Sequence, residues 1–447
     1  MVRDGDVSAV EVAESHIRRI DEMNPRLNAV VLRTDDALRE TAALVDAGTV
    51  TGPLAGGVMT TKINTDHVPY PNDNGIRALA GNISPVTHGV VRGMLGAGLM
   101  MAGRTNSPAF AMRFHTANDL HGETLNPHRL DISCGGSSGG AGVAVATGMC
   151  QIGQGNDVAG SVRWPAYMNG VIGLRPTVGR MPTGGTNPNP RGWSASMMST
   201  HGPIARTMAD LRAGYAAMAA PNWDEPFWVP APHEFPVPER VTVALVVEDG
   251  LPIDPVVVAN LRRTAGILAD AGYEVVETAP PMLEEFFSLW KTVGALDLML
   301  GLVPALPGID DAGLTAAMVN WTQSFPEPSG QVFLRGLQTR DMVMRAWNTF
   351  LAGHQLILTP MMSVPTVERA YDVAHPDAGA ELDLFGRWGI NLSAIQMPAL
   401  AFPCGSHEGA PLGVQLVAHT WREDLLLTAG DVLERALGEL KPVDIAW

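Results

Sequence analysis

A tract that is both glycine-rich and apolar, residues 52–210, constrains the fold more than any other feature of this chain. It includes CGGSSGGAGVAVATG, from Cys134 to Gly148, and GVIGL soon after. Glycine clusters usually mark linkers, but linkers lack hydrophobic runs. These runs call for a packed interior. Small residues there let backbone segments approach more closely than a Cβ allows.

The flanking segments carry the marks of α/β architecture. Ser8 and Glu11 form a capping-box pattern. Ala13, Ile17, Ile20 and Met23 follow at helical spacing, and Pro25 is expected to end that helix. A proline cluster, FWVPAPHEFPVPER, reads as a surface connection. Beyond it come a strand, VTVALVVED, a helix starting at Asp254-Pro255 and stopping near Gly272, and a second strand, YEVVET. Strand, helix, strand is the α/β signature. Residues 284–350, rich in Met, Leu and Trp, read as helical, and the end repeats the pattern with GVQLVA and EDLLLTAGDVLERAL. No internal repeat is visible.

Composition narrows the function classes. At 447 residues, 46% hydrophobic and 17% charged, the chain suits a large globular core. A net charge of −16 argues against nucleic acid or an anionic membrane as the partner. The longest uncharged apolar stretch, FLAGHQLILTPMMSVPTV, holds two prolines and reads as buried strand plus turn, not as a membrane span. The N-terminus shows no secretory pattern. The first helix signal lies so near the start that a longer natural chain is an open expectation. Three cysteines, Cys134, Cys150 and Cys404, are too few for a disulfide scaffold and suit a reducing cytoplasm.

The cations are unevenly chosen. Of 30 Lys and Arg residues only Lys62, Lys291 and Lys441 are lysine. A buried lysine can lose its proton, whereas arginine cannot. Lys62, within GGVMTTKINTD, is thus either a survivor of drift toward arginine or a position that needs a neutral amine. The serines offer further chemistry. The loop at Cys134–Gly148 lacks the Gly-Lys-Ser/Thr of a phosphate cradle. Gly136-Ser137-Ser138-Gly139-Gly140 fits G-x-S-x-G, but HRLDIS before it is a poor strand for a nucleophile elbow. In GQGNDVAGSVRWPAYMNGVIGLRPTVG, small residues before Ser161 leave backbone N–H groups free to converge, as an oxyanion hole requires. Asp157 and Arg163 flank this serine and are suited to pair across the turn.

Together these pieces supply a base, a relay hydroxyl and a nucleophile, with Ser137 75 residues after Lys62 and Ser161 another 24 on. The chain resembles the amidase signature family, the Ser-Ser-Lys amide hydrolases. MMAGRTNSPAFAM, with Thr105 and Asn106, GETLNP, GLRPTVGRMPTGG, HGPIARTMADL, MPALAFPCG and APLGVQLVA carry the resemblance. It implies one α/β domain over residues 1–447, with a mixed twisted sheet covered by helices on both faces. The signature core is residues 52–210, and the substrate-side region is about 284–350.

The resemblance also implies site roles. Ser161 is the acylated nucleophile, Ser137 the bridging serine after a cis peptide bond, and Lys62 the base. The amides of Val158, Ala159, Gly160 and Ser161 form the oxyanion hole. Ser138, Asp157 and Arg163 support them, and Ala111, Met112 and Trp164 touch substrate. No cofactor or metal is required. The partner is a small hydrophobic amide or carbamate, and the protein is a monomer or homodimer.

Departures from the pattern concern the pocket. Ile63 and Asn64 replace an Asp-containing pair after the lysine, Asn169 replaces a cysteine, and the apolar SPAFAM replaces an acidic segment. These point to hydrophobic, aromatic substrates: anilides, aryl carbamates and simple amides, with esters chemically open. NPNPRGWSASMM is expected to border the site. The alternative is a glutamine-dependent amidotransferase subunit with a partner chain; a non-catalytic binding protein on the same fold is a further one. Cys134 reads as a small buried residue, and His115, His121 and His128 fit no zinc spacing.

Overall fold

The computed structural model describes residues 2–182, 191–223, 225–236, 238–445 and 447. Its frame is an eleven-stranded sheet. In chain order the strands are β1 (Val30–Arg33), β2 (Val58–Lys62), β3 (Met100–Thr105), β4 (Ile152–Asp157), β5 (Ile172–Arg175), β6 (Thr200–Ala205), β7 (Thr242–Leu245), β8 (Glu274–Glu277), β9 (Leu356–Thr359), β10 (Ala399–His407) and β11 (Ala410–Ala418). Their order across the sheet is β1-β3-β2-β4-β6-β5-β10-β11-β9-β7-β8. β2 runs parallel to β3 and β4, and β7 parallel to β8 and β9; β4–β6, β5–β10 and β10–β11 are antiparallel. The sheet is therefore mixed.

Both faces are covered, so the strands are apolar on alternate and on successive residues. Met59 and Met101 belong to the core under Leu211, Leu261 and Leu425. Val58, Met100 and Ala102 point the other way, into a core with Ala13, Ile17 and Val143. Further along the sheet, Ile357 and Ala244 pack under Phe286, Trp321 and Trp347.

The helices used below are α1 (Ala9–Leu27), α2 (Gly139–Ala146), α3 (Arg163–Met168), α4 (Pro255–Asp270), α5 (Ala312–Thr322), α6 (Gly330–Gly353) and α7 (Glu423–Leu437). The capping box at Ser8 and Glu11 is present. Pro25, expected to end α1, instead lies inside it. In the last turn a missing N–H costs one hydrogen bond, and the helix stops at Asn28, which is left-handed (φ 51°) and donates to Asn24 O. Asp254 caps α4 by accepting from Val256 N.

Residues 283–308 are helical but irregular. Leu283–Leu289 passes into two π-helical turns, Trp290–Gly294 and Leu298–Leu302. By length and composition alone this stretch is apolar enough to cross a membrane. Here Phe286, Leu289, Trp290 and Val293 are buried in the core.

The glycine tract packs as its composition demands. α2 is buried along its whole length. A Cβ on Gly140 would stand 2.5 Å from Asn106 N and 2.7 Å from Ala29 O, so any larger residue would push the helix off the sheet.

Candidate active site

β2 and β4 are parallel neighbours, so Lys62 and Asp157 end adjacent strands at the same edge. Chain leaving β4 turns sharply through Val158–Val162, with Gly160 at φ +99°, and enters α3. The loop before α2 runs alongside. Ser138 N donates to Ser161 O at 3.2 Å, and Gly139 N to Thr116 Oγ1 at 3.1 Å. The peptide bond Gly136–Ser137 is cis.

Asp157 organises the turn. Its carboxylate accepts from Gly160 N (2.9 Å), Val162 N (3.2 Å), Arg163 Nε (3.0 Å) and Nη2 (2.9 Å), and Arg175 Nη1 (3.3 Å). Arg163 also donates to Gln415 Oε1 and Gly389 O, and all three ionic side chains are fully buried. Burial alone would raise the Asp157 carboxyl. Arg163 and Arg175 outweigh it and hold the group well below the usual carboxylate range.

Lys62 is fully buried. Burial pushes its amine well below the usual lysine range, opposed by the charge of Asp157. Its Nζ donates to Ser137 Oγ at 2.7 Å and to Asn156 Oδ1 at 2.8 Å. Asn156 Nδ2 in turn donates to Asn64 Oδ1 at 2.9 Å, and Lys62 N donates to Gln154 Oε1 at 3.0 Å. Gln154 Nε2 meets His201 Nδ1 at 2.9 Å. Burial, with the charges of neighbouring groups, keeps His201 well below its ordinary value.

Ser161 makes no side-chain hydrogen bond among the described residues and is 8% exposed. It opens on a narrow cavity walled by Ala111, Met112, Phe114, Val158, Trp290 and Trp321, with Arg113 beside them. Roomier grooves, such as the one lined by Leu54, Arg92 and Ala217, lie away from the serines. Trp290 stacks on Trp321 (4.7 Å between centroids, 26° between planes) and donates through Nε1 to Val158 O at 2.9 Å. Phe114 meets Trp321 edge-on. Arg113 is tied by Nε and Nη2 to Asp372 at 2.9 and 3.0 Å, both side chains buried. Phe110 and Ala111 are consecutive left-handed residues (φ 51° and 60°), an uncommon strain beside the cavity.

Most predicted positions converge. Lys62, Ser137, Ser138, Asp157, Ser161 and Arg163 form one contiguous cluster, with Ala111 and Met112 on the wall opposite Ser161. Two expectations need correction. The Gly160 amide donates to Asp157, so Val158, Ala159 and Ser161 are the amides of the turn left without an acceptor among the described residues. Trp164 does not reach the cavity: it is fully buried behind Phe114, its ring in the slot left by Gly135 and Gly386.

NPNPRGWSASMM lies partly in 183–190, outside the described residues; Trp193, on its described part, packs on Phe333. Trp290, Trp321 and Asn156 were not singled out by sequence. Cys134 is buried, its thiol pushed up to about 12 by burial, and Asn169 donates to its carbonyl. His115, His121 and His128 turn to Glu123, Asp73 and Asn169 O, and no group of three or more metal-binding side chains occurs among the described residues.

The family model described as Amidase matches residues 11–427. The indoleacetamide hydrolase of Bradyrhizobium diazoefficiens is 36% identical over 98% of this chain and 85% of its own length. A glutamyl-tRNA(Gln) amidotransferase subunit of Moorella thermoacetica is 29% identical over 96% of this chain and 94% of its own. The crystal structure of a bacterial aryl acylamidase of the amidase signature family superposes with a TM-score of 0.82 at 26% identity, covering 97% of this chain and 94% of that one.

Proposed function

This chain belongs to the amidase family and is a hydrolase acting on amides, and from that premise we propose that its substrate is an apolar, aromatic amide cleaved through an acyl-enzyme on Ser161. Neutral Lys62 takes a proton from Ser137 as Ser137 takes one from Ser161. Ser161 Oγ attacks the carbonyl carbon. The amides of Val158, Ala159 and Ser161 hold the resulting oxyanion, while Asp157 keeps the turn in shape through Gly160 and Val162. The proton returns through Ser137 to the leaving amine, the carbon–nitrogen bond breaks, and water reverses the sequence on the ester. The observation that carries the base assignment is the 2.7 Å contact of a buried, uncharged-leaning amine with Ser137.

The stacked pair Trp290 and Trp321 supports the aromatic substrate. The indoleacetamide hydrolase relative supports an arylacetamide in particular. Residues 284–350 form the substrate side in this reading, and residues 52–210 the reacting side. Anilides and aryl carbamates offer the same carbonyl to the same amides and are cleaved more slowly. Free glutamine is a poor substrate: the apolar wall of Met112, Phe114, Trp290 and Trp321 leaves its side-chain amide unpaired, and the Arg113 guanidinium beside it is bound to Asp372.

The test compares kcat/KM for indole-3-acetamide, an anilide, an aryl carbamate and glutamine under one condition. The expected order is the order given. Glutamine ranking first would replace this reading with the amidotransferase one.

A further inference from the structure

Lys62 has two partners, and only one of them reacts. Asn156 stands on β4 directly beside it, half-buried and absent from the cavity wall. With its Nδ2 donating to Asn64, its Oδ1 faces Lys62 Nζ. An amide oxygen only accepts, so the amine must direct an N–H toward it. A neutral amine has two N–H bonds and one lone pair. With one N–H fixed on Asn156, and the strand around Lys62 held by Gln154, the amine turns only about that bond, which brings either its second N–H or its lone pair to Ser137 Oγ, 2.7 Å away; the lone pair is the one that can take the proton.

We propose that Asn156 is a positioning residue: a neutral acceptor that aims the Lys62 lone pair at Ser137 and steadies the ammonium as it forms. The inference rests on the reading of Lys62 as the base. Its chemistry balances simply. The Ser137 O–H bond breaks, the proton joins the Lys62 lone pair, and the new ammonium keeps its N–H on Asn156 Oδ1. A carboxylate at this position would favour the ammonium before substrate arrived, and an apolar side chain would disfavour it throughout.

The remaining charged and titratable groups facing Lys62 leave this room. From β4 the facing group is Asp157, already paired with Arg163 and Arg175. From β6 it is His201, uncharged through burial. Arg104, on β3, donates to Thr61 Oγ1 and Ile63 O. From the loop before α2 comes the hydroxyl of Ser137, which carries no charge.

The test is the pH profile of kcat and kcat/KM for wild type, Asn156→Asp and Asn156→Leu, with Asn64→Ala as a variant that leaves β4 untouched. In wild type, activity rises from acid pH as Lys62 loses its proton. Asn156→Asp should move that rising limb alkaline by about one unit or more. Asn156→Leu should move it the other way and lower kcat by about tenfold or more, with KM little changed. Asn64→Ala, which frees the amide to turn, should lower kcat by less and leave the limb near its wild-type position. A general loss of structure cannot shift the limb in opposite directions. If both Asn156 variants keep the wild-type limb, the role of Asn156 is overturned alone. A wild-type profile with no rising limb overturns the base reading and this inference with it.

Discussion

The two sides of the cavity are built from opposite materials. The side around β2, β4 and α3 is ionic and amide-rich, and its charged groups are tied by directional bonds; Asp157 alone accepts five hydrogen bonds through its carboxylate. The side made by residues 283–325 is aromatic: Trp290 Nε1 donates to Val158 O and Trp321 Nε1 to Asp383 Oδ1, and the ring faces between them meet through contacts with no fixed direction. It also passes through π-helical turns, which widen the helix where Trp290 enters the cavity. The first side is over-determined, so a change there breaks the chemistry. The second is adaptable, so a change there re-cuts the substrate range.

Substitutions can break that contrast, and the largest effect is expected on the ionic side. Ser161→Ala should remove labelling by a fluorophosphonate and lower turnover on the order of a millionfold. Labelling that persists in Ser161→Ala but disappears in Ser138→Ala would move the nucleophile to the other loop. Lys62→Arg keeps a basic side chain of similar length but stays protonated and cannot accept a proton near neutral pH, so a loss of about a thousandfold is expected, close to that of Lys62→Ala. Steady-state rates of the two variants side by side decide it.

Asp157→Asn leaves Arg163 and Arg175 buried without a counter-charge, at a cost of about 3–5 kcal/mol. A urea melt with an unmoved midpoint would remove Asp157 from its structural role. On the aromatic side, Trp290→Ala should lower kcat/KM for an aryl amide by about 10- to 100-fold. A small aliphatic amide should lose much less; equal losses would mean that Trp290 serves the turn through Val158 and not the substrate.

The smallest effect is on stability against pH. Burial, with the Arg104 charge adding to it, lowers His67 to about 4, and His201 is also held neutral by burial. Below the ordinary value of 6.5 the unfolded chain binds protons that the folded chain refuses, so stability is whole above 6.5 and falls as pH drops toward 4. The slope is at most about 1.4 kcal/mol per pH unit for each histidine. Denaturation midpoints at pH 7.5 and 5.5 check it.

How much of this was legible in the sequence follows the same division. Lys62, Ser137, Asp157, Ser161 and Arg163 could be picked out because the resemblance attaches to short local motifs at glycine-rich turns and strand ends, and the fold brings those motifs together. The helix α4 announced itself through its Asp254 cap, and α7 through its leucine-rich run after a strand. Trp290 and Trp321 lie more than a hundred residues from Ser161, and nothing in their surroundings separates a cavity tryptophan from a core one. Trp164 shows the converse error. Three residues from Ser161 in the chain, it is carried by the first turn of α3 to the far side of Phe114. Asn156 was hidden because an amide one strand over from a lysine has no spacing rule.

One consequence follows from the charges around Asp157. One carboxylate faces two guanidinium groups, and Arg175, lowered to about 10 by burial, is still cationic at neutral pH. The cluster therefore holds a standing surplus of one positive charge beneath the Val158–Ser161 turn. Folding, not turnover, bears the work of assembling that charge away from water. When the carbonyl oxygen turns negative, no dipole there has to swing round to meet it, and the solvent-like rearrangement that slows such a step in water has already taken place.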